Sequence, residues 1–209
     1  MAVFRQRSPT AGSRLGLTGS FQTASYMELE TERLLLREFR LVDWPAVMAY
    51  QNDPKYLRYY RWKHRSSNEV RDFVQGFIEW QRQKPRRKYQ LIATLKKSGE
   101  LIGNCGIRGR DENDFEGELG YEVAPNYWGK GYATEAARAV LDFGFDVLKL
   151  ERVSAECVLE NRGSSRVLEK LGMRWEGHLR RNQRMKGRWW DTLVYGILRE
   201  EWEAAKNVG

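Results

Sequence analysis

Cysteine and histidine are nearly absent from this 209-residue chain: Cys105 and Cys157, His64 and His178 are the whole stock. Two cysteines cannot build a disulfide framework and two histidines cannot build a rich metal site, so the compartment reads as reducing and the metal count as zero. Long hydrophobic runs are missing as well. No stretch approaches the roughly 18 consecutive apolar residues of a helical membrane span, which excludes an integral helical membrane protein. Residues 1–26 contain no acidic residue and no continuous apolar region, so they lack the core of a secretory signal.

What is present points to a folded, basic domain. The composition is 41% hydrophobic and 12% aromatic, more core material than a solvated chain carries, and the length suits one domain with a tail. The formal charge is +8, and +5 remains on residues 27–209 once Arg5, Arg7 and Arg14 of the arm are set aside. A basic surface favours anionic partners such as nucleic acid, phosphorylated cofactors or acidic membranes without choosing among them. The arm, Ser/Thr/Gly-rich with scattered arginine, reads as a disordered segment, an organelle transit peptide, or the product of a start placed too early, with Met27 as the true first residue.

From Met27 onward the pattern is mixed. Arg33–Arg40 reads as a strand, and Asp43 as the N-cap of a short helix that opens on Trp44 and Pro45 and stops near Asn52. Ser66-Ser67-Asn68-Glu69 forms a capping box, and Val70, Phe73, Val74, Phe77 and Ile78 after it mark one buried helical face. Strands are expected at Tyr89–Leu95, Leu101–Arg108 and Glu116–Ala124, the first two closed into a hairpin by Ser98-Gly99. A helix follows over Ala133–Leu148, a strand over Arg152–Val158, and a short helix over Ser164–Leu171 ended by Gly172. Met173–Arg181 and Trp190–Leu198 make a last hairpin turning near Lys186-Gly187. Strands outnumber helices and the middle is antiparallel, so the class is α+β.

The segment Asn126-Tyr127-Trp128-Gly129-Lys130-Gly131-Tyr132-Ala133-Thr134 joins a strand to a helix. Small residues there admit a ligand close to the backbone, and free amides at a helix N-terminus favour a phosphate or pyrophosphate. A tight turn serving only strand–helix packing has the same composition. No P-loop pattern is present, and Thr134 stands where a dinucleotide fingerprint needs glycine.

Read in order, several segments resemble the GNAT superfamily of N-acetyltransferases, in the branch of ribosomal-protein-alanine acetyltransferases. They are Glu30–Arg37 (ETERLLLR), Leu119–Pro125 (LGYEVAP), Tyr127–Ala136 (YWGKGYATEA), Glu160–Ser165 (ENRGSS), Leu168–Gly172, Glu176-Gly177, Trp190-Asp191, Tyr195 and Glu201-Trp202. The similarity spans about residues 28–203. It implies a single N-acetyltransferase domain over 27–209, with a mixed, mostly antiparallel sheet of about seven strands, flanked by about four helices, whose splayed central strands hold acetyl-CoA.

The resemblance also assigns roles. Gly129 and Gly131 match the two small positions of the pyrophosphate turn, with Trp128, Lys130 and Ala133 around them; Asn126 stands where Gln or Arg is usual. The backbone near Glu122–Ala124 is expected to pair with the pantetheine arm, with the Val123 amide at the oxyanion, and Asn161 matches an asparagine that binds the pantetheine region. Glu118 is the candidate base and shares a strand face with Glu116 and Gly120. Ser164, with Ser165 adjacent, is the candidate acid, because the helix tyrosine of many relatives has no counterpart here and Tyr195 is only a distant reserve. A lone strand cysteine such as Cys157 is usually buried and inert, which favours direct transfer over an acyl-enzyme. His178 is given no role.

A neutral amine must attack the thioester. Deprotonation at pH 7 costs a lysine amine about 4–5 kcal/mol and an α-amine about 1 kcal/mol, so an α-amine needs only a modest base. The implied partners are acetyl-CoA and a protein or peptide N-terminus or small amine, with ribosome contact, no membrane, no metal, a cytoplasmic location and a monomer or homodimer. Two other readings stand beside this one: a CoA-binding sensor without catalysis, and a ribosome- or RNA-binding module. The latter would use the basic groups Arg82–Lys88 and Arg180–Arg188. The aromatic group Tyr56, Tyr59, Tyr60 and Trp62 either borders the acceptor cleft or packs a core.

Overall fold

Leu34, Leu36 and Glu38 are buried while Leu35 and Arg37 are partly exposed, the period-2 burial of a strand with one covered face. In the computed structural model, which describes Val3–Phe4, residues 27–109 and residues 115–207, this strand is one of nine in a single sheet. They are β1 (Val3–Phe4), β2 (Glu28–Glu30), β3 (Leu34–Glu38), β4 (Lys88–Leu95), β5 (Leu101–Gly109), β6 (Glu116–Val123), β7 (Arg152–Val158), β8 (Arg174–Met185) and β9 (Arg188–Leu198). Their spatial order is β1-β2-β3-β4-β5-β6-β7-β9-β8. The expected seven strands become eight, plus the two-residue β1. The readings of the arm otherwise fall outside the described residues.

Neighbours pair antiparallel except β6 and β7, which run parallel. That exception positions the site. β6 pairs with β5 from Gly117 to Val123, and β7 pairs with β9 from Arg152 to Val158. Between themselves β6 and β7 pair only at Glu116↔Arg152, Gly117↔Val153 and Glu118↔Ser154. Beyond Glu118 and Ser154 the two strands part, and each turns an unpaired edge toward the other.

Helices cover both faces. α1 (Trp44–Gln51), α2 (Pro54–Leu57) and α3 (Ser67–Gln81) lie on one side, where Phe39, Val47, Tyr50, Val70, Val74, Phe77 and Ile92 form a core. α4 (Tyr132–Asp146), α5 (Arg162–Lys170) and α6 (Arg199–Asn207) go with the second, larger core, which includes Leu34, Leu36, Leu91, Leu119, Val140, Phe145 and Trp202. Each fully buried aliphatic side chain there contributes about 1.5–3 kcal/mol. The capping box at α3 forms as the sequence implies, with the Glu69 amide donating to Ser66 Oγ and the Ser66 amide to Glu69 Oε2.

Among the described residues six helices stand where about four were expected; α2 and α6 are the additions. Asp43 holds the N-cap position of α1 as expected, but its side chain does not cap the helix. Its carboxylate accepts from the Arg40 amide at 2.7 Å and from the Arg37 guanidinium at 2.6 and 2.8 Å, fixing the 3-10 turn before the helix. A second core charge, Glu38, is answered in the same way by Arg86.

Candidate active site

The parting of β6 and β7 leaves hydrogen-bonding groups exposed to a ligand. The Ala124 amide donates to the Ile102 carbonyl of β5 at 2.8 Å, so alternation turns the amides and carbonyls of Leu119, Tyr121 and Val123 toward the open gap. Val123 O is taken by the indole N–H of Trp128 at 2.6 Å. The Val123 amide remains directed into the gap.

At the far end of β6 the chain makes the glycine-rich turn. Gly129 and Gly131 have φ of 74° and 84°, a left-handed conformation that side chains with a Cβ resist. Gly131 is the N-cap of α4 and supplies no side-chain cap, so amides of the first helical turn stay unclaimed by any cap. The turn fits a pyrophosphate on this evidence. Ala133 is half-buried in the first turn of α4; Asn126, Trp128 and Lys130 are exposed, and Lys130 Nζ lies 5.2 Å from the Tyr127 ring. Arg33 braces the turn from β3's start. It bonds the Lys130 carbonyl at 3.1 Å and Glu135 at 2.6 Å, and stacks 4.4 Å from the Tyr132 ring. Burial acts to raise the Glu135 carboxyl, but hydrogen bonds from Thr31 and from the Arg33 amide and guanidinium outweigh it and hold the group low. A cleft of about 450 Å³ opens beside Gly131 and runs along α4 past Arg138 and Lys170.

Across the gap, Asn161 N-caps α5 by accepting from the Ser164 amide at 3.2 Å. Ser164 Oγ lies 2.9 Å from the hydroxyl of Tyr121, a tyrosine that comes from β6 rather than from the helix. Burial keeps the Tyr121 phenol protonated, well above its ordinary range. Ser165 bonds back to the Arg162 carbonyl and faces inward. Cys157 is buried nearby, and burial pushes its thiol up to about 11, which leaves it un-ionised and a poor nucleophile. Tyr195 is a core residue whose hydroxyl bonds Glu169 at 3.3 Å.

Glu118 lies on the opposite face of β6, at the point where the strands part. It is partly exposed and meets Arg108 of β5 at 3.5 Å. Glu122, one pleat further along than Gly120, was not singled out by the sequence. Its Oε2 accepts from Tyr50 Oη at 3.1 Å, Gln51 Nε2 at 3.0 Å and Asn104 Nδ2 at 2.9 Å. Asn104 is held in turn by Gln90 at 2.7 Å, and Gln51 by Arg65 at 2.7 Å. Tyr56, Tyr60 and Trp62 stack beside this network at centroid spacings of 4.4 and 5.0 Å, and Tyr50 meets Tyr56 edge-on at 5.5 Å. Of the two expectations for this cluster, core packing holds for Tyr56, with Tyr60 and Trp62 packed against the same core, while Tyr59 lies outside it near Arg58.

His178 has the partner its sequence context hid. Its Nε2 lies 2.7 Å from Asp191 across the β8–β9 hairpin, and the Arg181 amide together with His178 holds the Asp191 carboxyl low. Of the basic groups, Arg86 is consumed by Glu38, Lys186 Nζ bonds the Leu57 carbonyl at 2.7 Å, and Arg188 stacks on Trp190 at 3.5 Å. Among the described residues no helix is long and apolar enough to cross a membrane.

Comparison with known proteins agrees with this geometry. The acetyltransferase (GNAT) domain family matches residues 33–174. The uncharacterized N-acetyltransferase YnaD of Bacillus subtilis is 35% identical over 176 residues, covering 84% of this chain and 99% of its own. A GNAT-family acetyltransferase from Bacillus anthracis superposes with a TM-score of 0.73 at 34% identity, over 83% of this chain and 99% of the other. The putative ribosomal N-acetyltransferase YdaF of Bacillus subtilis is 32% identical over 125 residues, 58% of this chain and 68% of that protein. With its parted β6 and β7 and its glycine turn at the head of α4, the chain belongs to the GNAT family and is an acetyl-CoA-dependent N-acetyltransferase.

Proposed function

We propose that the chain transfers the acetyl group of acetyl-CoA by direct attack onto the α-amine of a protein or peptide, as ribosomal-protein acetyltransferases do, or onto a small primary amine, in the cytoplasm. The observation that carries this reading is the open β6–β7 gap, with the Val123 amide facing it and the Tyr121–Ser164 hydroxyl pair on its far side. The likeness to YdaF supports a peptide acceptor and ribosome contact. In this reading the pyrophosphate lies on Gly129–Gly131, and the nucleotide extends along the cleft toward Arg138 and Lys170. Lys130, Trp128 and Ala133 flank the phosphates, and Asn161 meets the pantetheine arm.

The chemistry then follows from where charge develops. As the amine attacks, negative charge grows on the thioester oxygen, where the Val123 amide stabilises it. Glu118, directly or through water, takes the amine proton; Ser164, backed by Tyr121, protonates the departing thiolate. The buried, protonated Cys157 argues against a covalent relay.

The test is release of free thiol from acetyl-CoA with a panel of Ala-, Ser- and Met-starting peptides, polyamines and aminoglycosides. Acceptor-dependent release with a peptide is expected. Acetyl-CoA binding with no release on any acceptor would favour the sensor reading. RNA binding that falls steeply with salt, together with no turnover, would favour the RNA module.

A further inference from the structure

Glu122 is a partly buried carboxylate with three neutral donors on one oxygen and none on the other from any described residue. Among the described residues it has no ion pair. The other carboxylates on these inner faces are answered by cations: Asp43 by Arg37, Glu38 by Arg86, Glu118 by Arg108. A charge removed from water without a counterion is costly, and a fixed network that points three dipoles at Oε2 orients rather than neutralises it. The rings of Tyr50, Tyr56 and Tyr60 all feel its charge, which after burial is the next cause raising each of their phenols. Buried polar atoms in this wall also lack partners, notably Trp62 Nε1 and, on the Gln90 side, Gln90 Oε1.

We infer that Glu122 is the docking carboxylate for the acceptor's ammonium group, that the half-buried Tyr60 and Trp62 rings, stacked on the buried Tyr56, line that dock, and that the acceptor is a monocationic amine rather than a polyamine. This rests on the acetyltransferase reading and deepens it. Glu122 stands immediately before Val123, whose amide faces the gap, so an amine held on its side of β6 is a strand's width from the thioester position. Ammonium and aromatic faces attract through the ring quadrupole, and the carboxylate adds a charge-assisted hydrogen bond.

The limit to one charge comes from the neighbours. Arg65 sits behind Gln51 and 5.0 Å from the Trp62 ring, and Lys186 caps the carbonyl of Leu57. The Arg108 guanidinium lies across Gly120, between Glu118 and Glu122, where a Cβ on that glycine would collide with it. A second ammonium would meet these cations with one free carboxylate already spent.

The experiment measures binding to the CoA-loaded protein by calorimetry. Its ligands are an Ala-starting hexapeptide, the same peptide with lactate in place of the first alanine, and spermidine. Wild type should prefer the amine to its neutral isostere by about 10- to 100-fold, and Glu122→Gln should collapse that ratio to near one while CoA affinity stays unchanged. In turnover, the variant should raise the acceptor KM by a like factor and leave kcat within about threefold. Tyr60→Leu, which leaves the carboxylate in place, should reduce the ratio by roughly 3- to 10-fold. A preference retained in Glu122→Gln, a loss confined to kcat, or spermidine binding as tightly as the peptide would overturn the inference. Failure of wild type to bind acetyl-CoA would instead overturn the reading it rests on.

Discussion

At the scale of single residues, two hydroxyls, those of Ser164 and Tyr121, meet beside the gap, where the proposed reaction has its acid end. Ser164 is legible in the sequence as a member of ENRGSS, but its partner Tyr121 is 43 residues away and becomes its neighbour only because β6 and β7 part. Tyr121→Phe should lower the rate of thiol release about tenfold in single turnovers, Ser164→Ala by a similar factor, and the double variant by about 10²-fold with acetyl-CoA affinity kept. Full activity in the double variant would move the acid elsewhere. Cys157→Ala should leave turnover in place, since a buried thiol pushed up to about 11 stays un-ionised at neutral pH and attacks a thioester poorly; inactivation by that change alone would revive an acyl-enzyme. Glu122 escaped sequence reasoning for the same reason as Tyr121: Tyr50, Gln51 and Asn104 lie 72, 71 and 18 residues from it. Its one sequence trace is its position on the strand face of Glu118 and Gly120.

At the scale of elements, legibility follows how much of an element's signal is local. α3 carries both an i, i+3, i+4 apolar stripe and a capping box, and its start is where the sequence places it. α6 is mostly charged and Trp202 is its one buried side chain among the described residues, so no stripe announces it, and four-residue α2 is too short to show a period. Most of β8 is exposed, which erases the alternation that would have marked its full length. The capping box yields a pH prediction. The Ser66 hydroxyl and then its amide hold the Glu69 carboxyl below its ordinary value. A depressed carboxylate adds stability above the unfolded value, about 4.3, and loses it as pH falls through the folded one. Ser66→Ala should lower Tm by about 2–4 °C at pH 7 and by clearly less near pH 3, as thermal unfolding followed by circular dichroism would show. The turn at 129–131 gives a second prediction. A Cβ at Gly129 meets nothing within 4 Å, so Gly129→Val costs only left-handed backbone strain, about 1–2 kcal/mol. The fold should survive while acetyl-CoA affinity falls at least tenfold; unchanged affinity would place the pyrophosphate elsewhere.

At the scale of the whole molecule, the two substrates approach a +8 protein with opposite charge. Acetyl-CoA is strongly anionic and, on the proposed pose, comes to a face where Arg33, Lys130, Arg138 and Lys170 stand beside Glu32, Glu135 and Asp142. On the same pose the acceptor ammonium comes to the other face of the sheet, where Glu118 and Glu122 stand with Arg65 and Arg108 nearby. A long-range positive field should therefore speed the first encounter and do nothing for the second. Stopped-flow association of acetyl-CoA should slow by about tenfold as salt rises from 0.01 to 0.15 M and the screening length contracts from about 30 to 8 Å. Over the same range the acceptor KM should hold or fall, because screening weakens the repulsion from the surrounding arginines before it weakens a partly buried contact with Glu122. If both substrates slow together, the acceptor is itself an anionic surface carrying an amine, and the basic β8–β9 hairpin becomes part of how it is held.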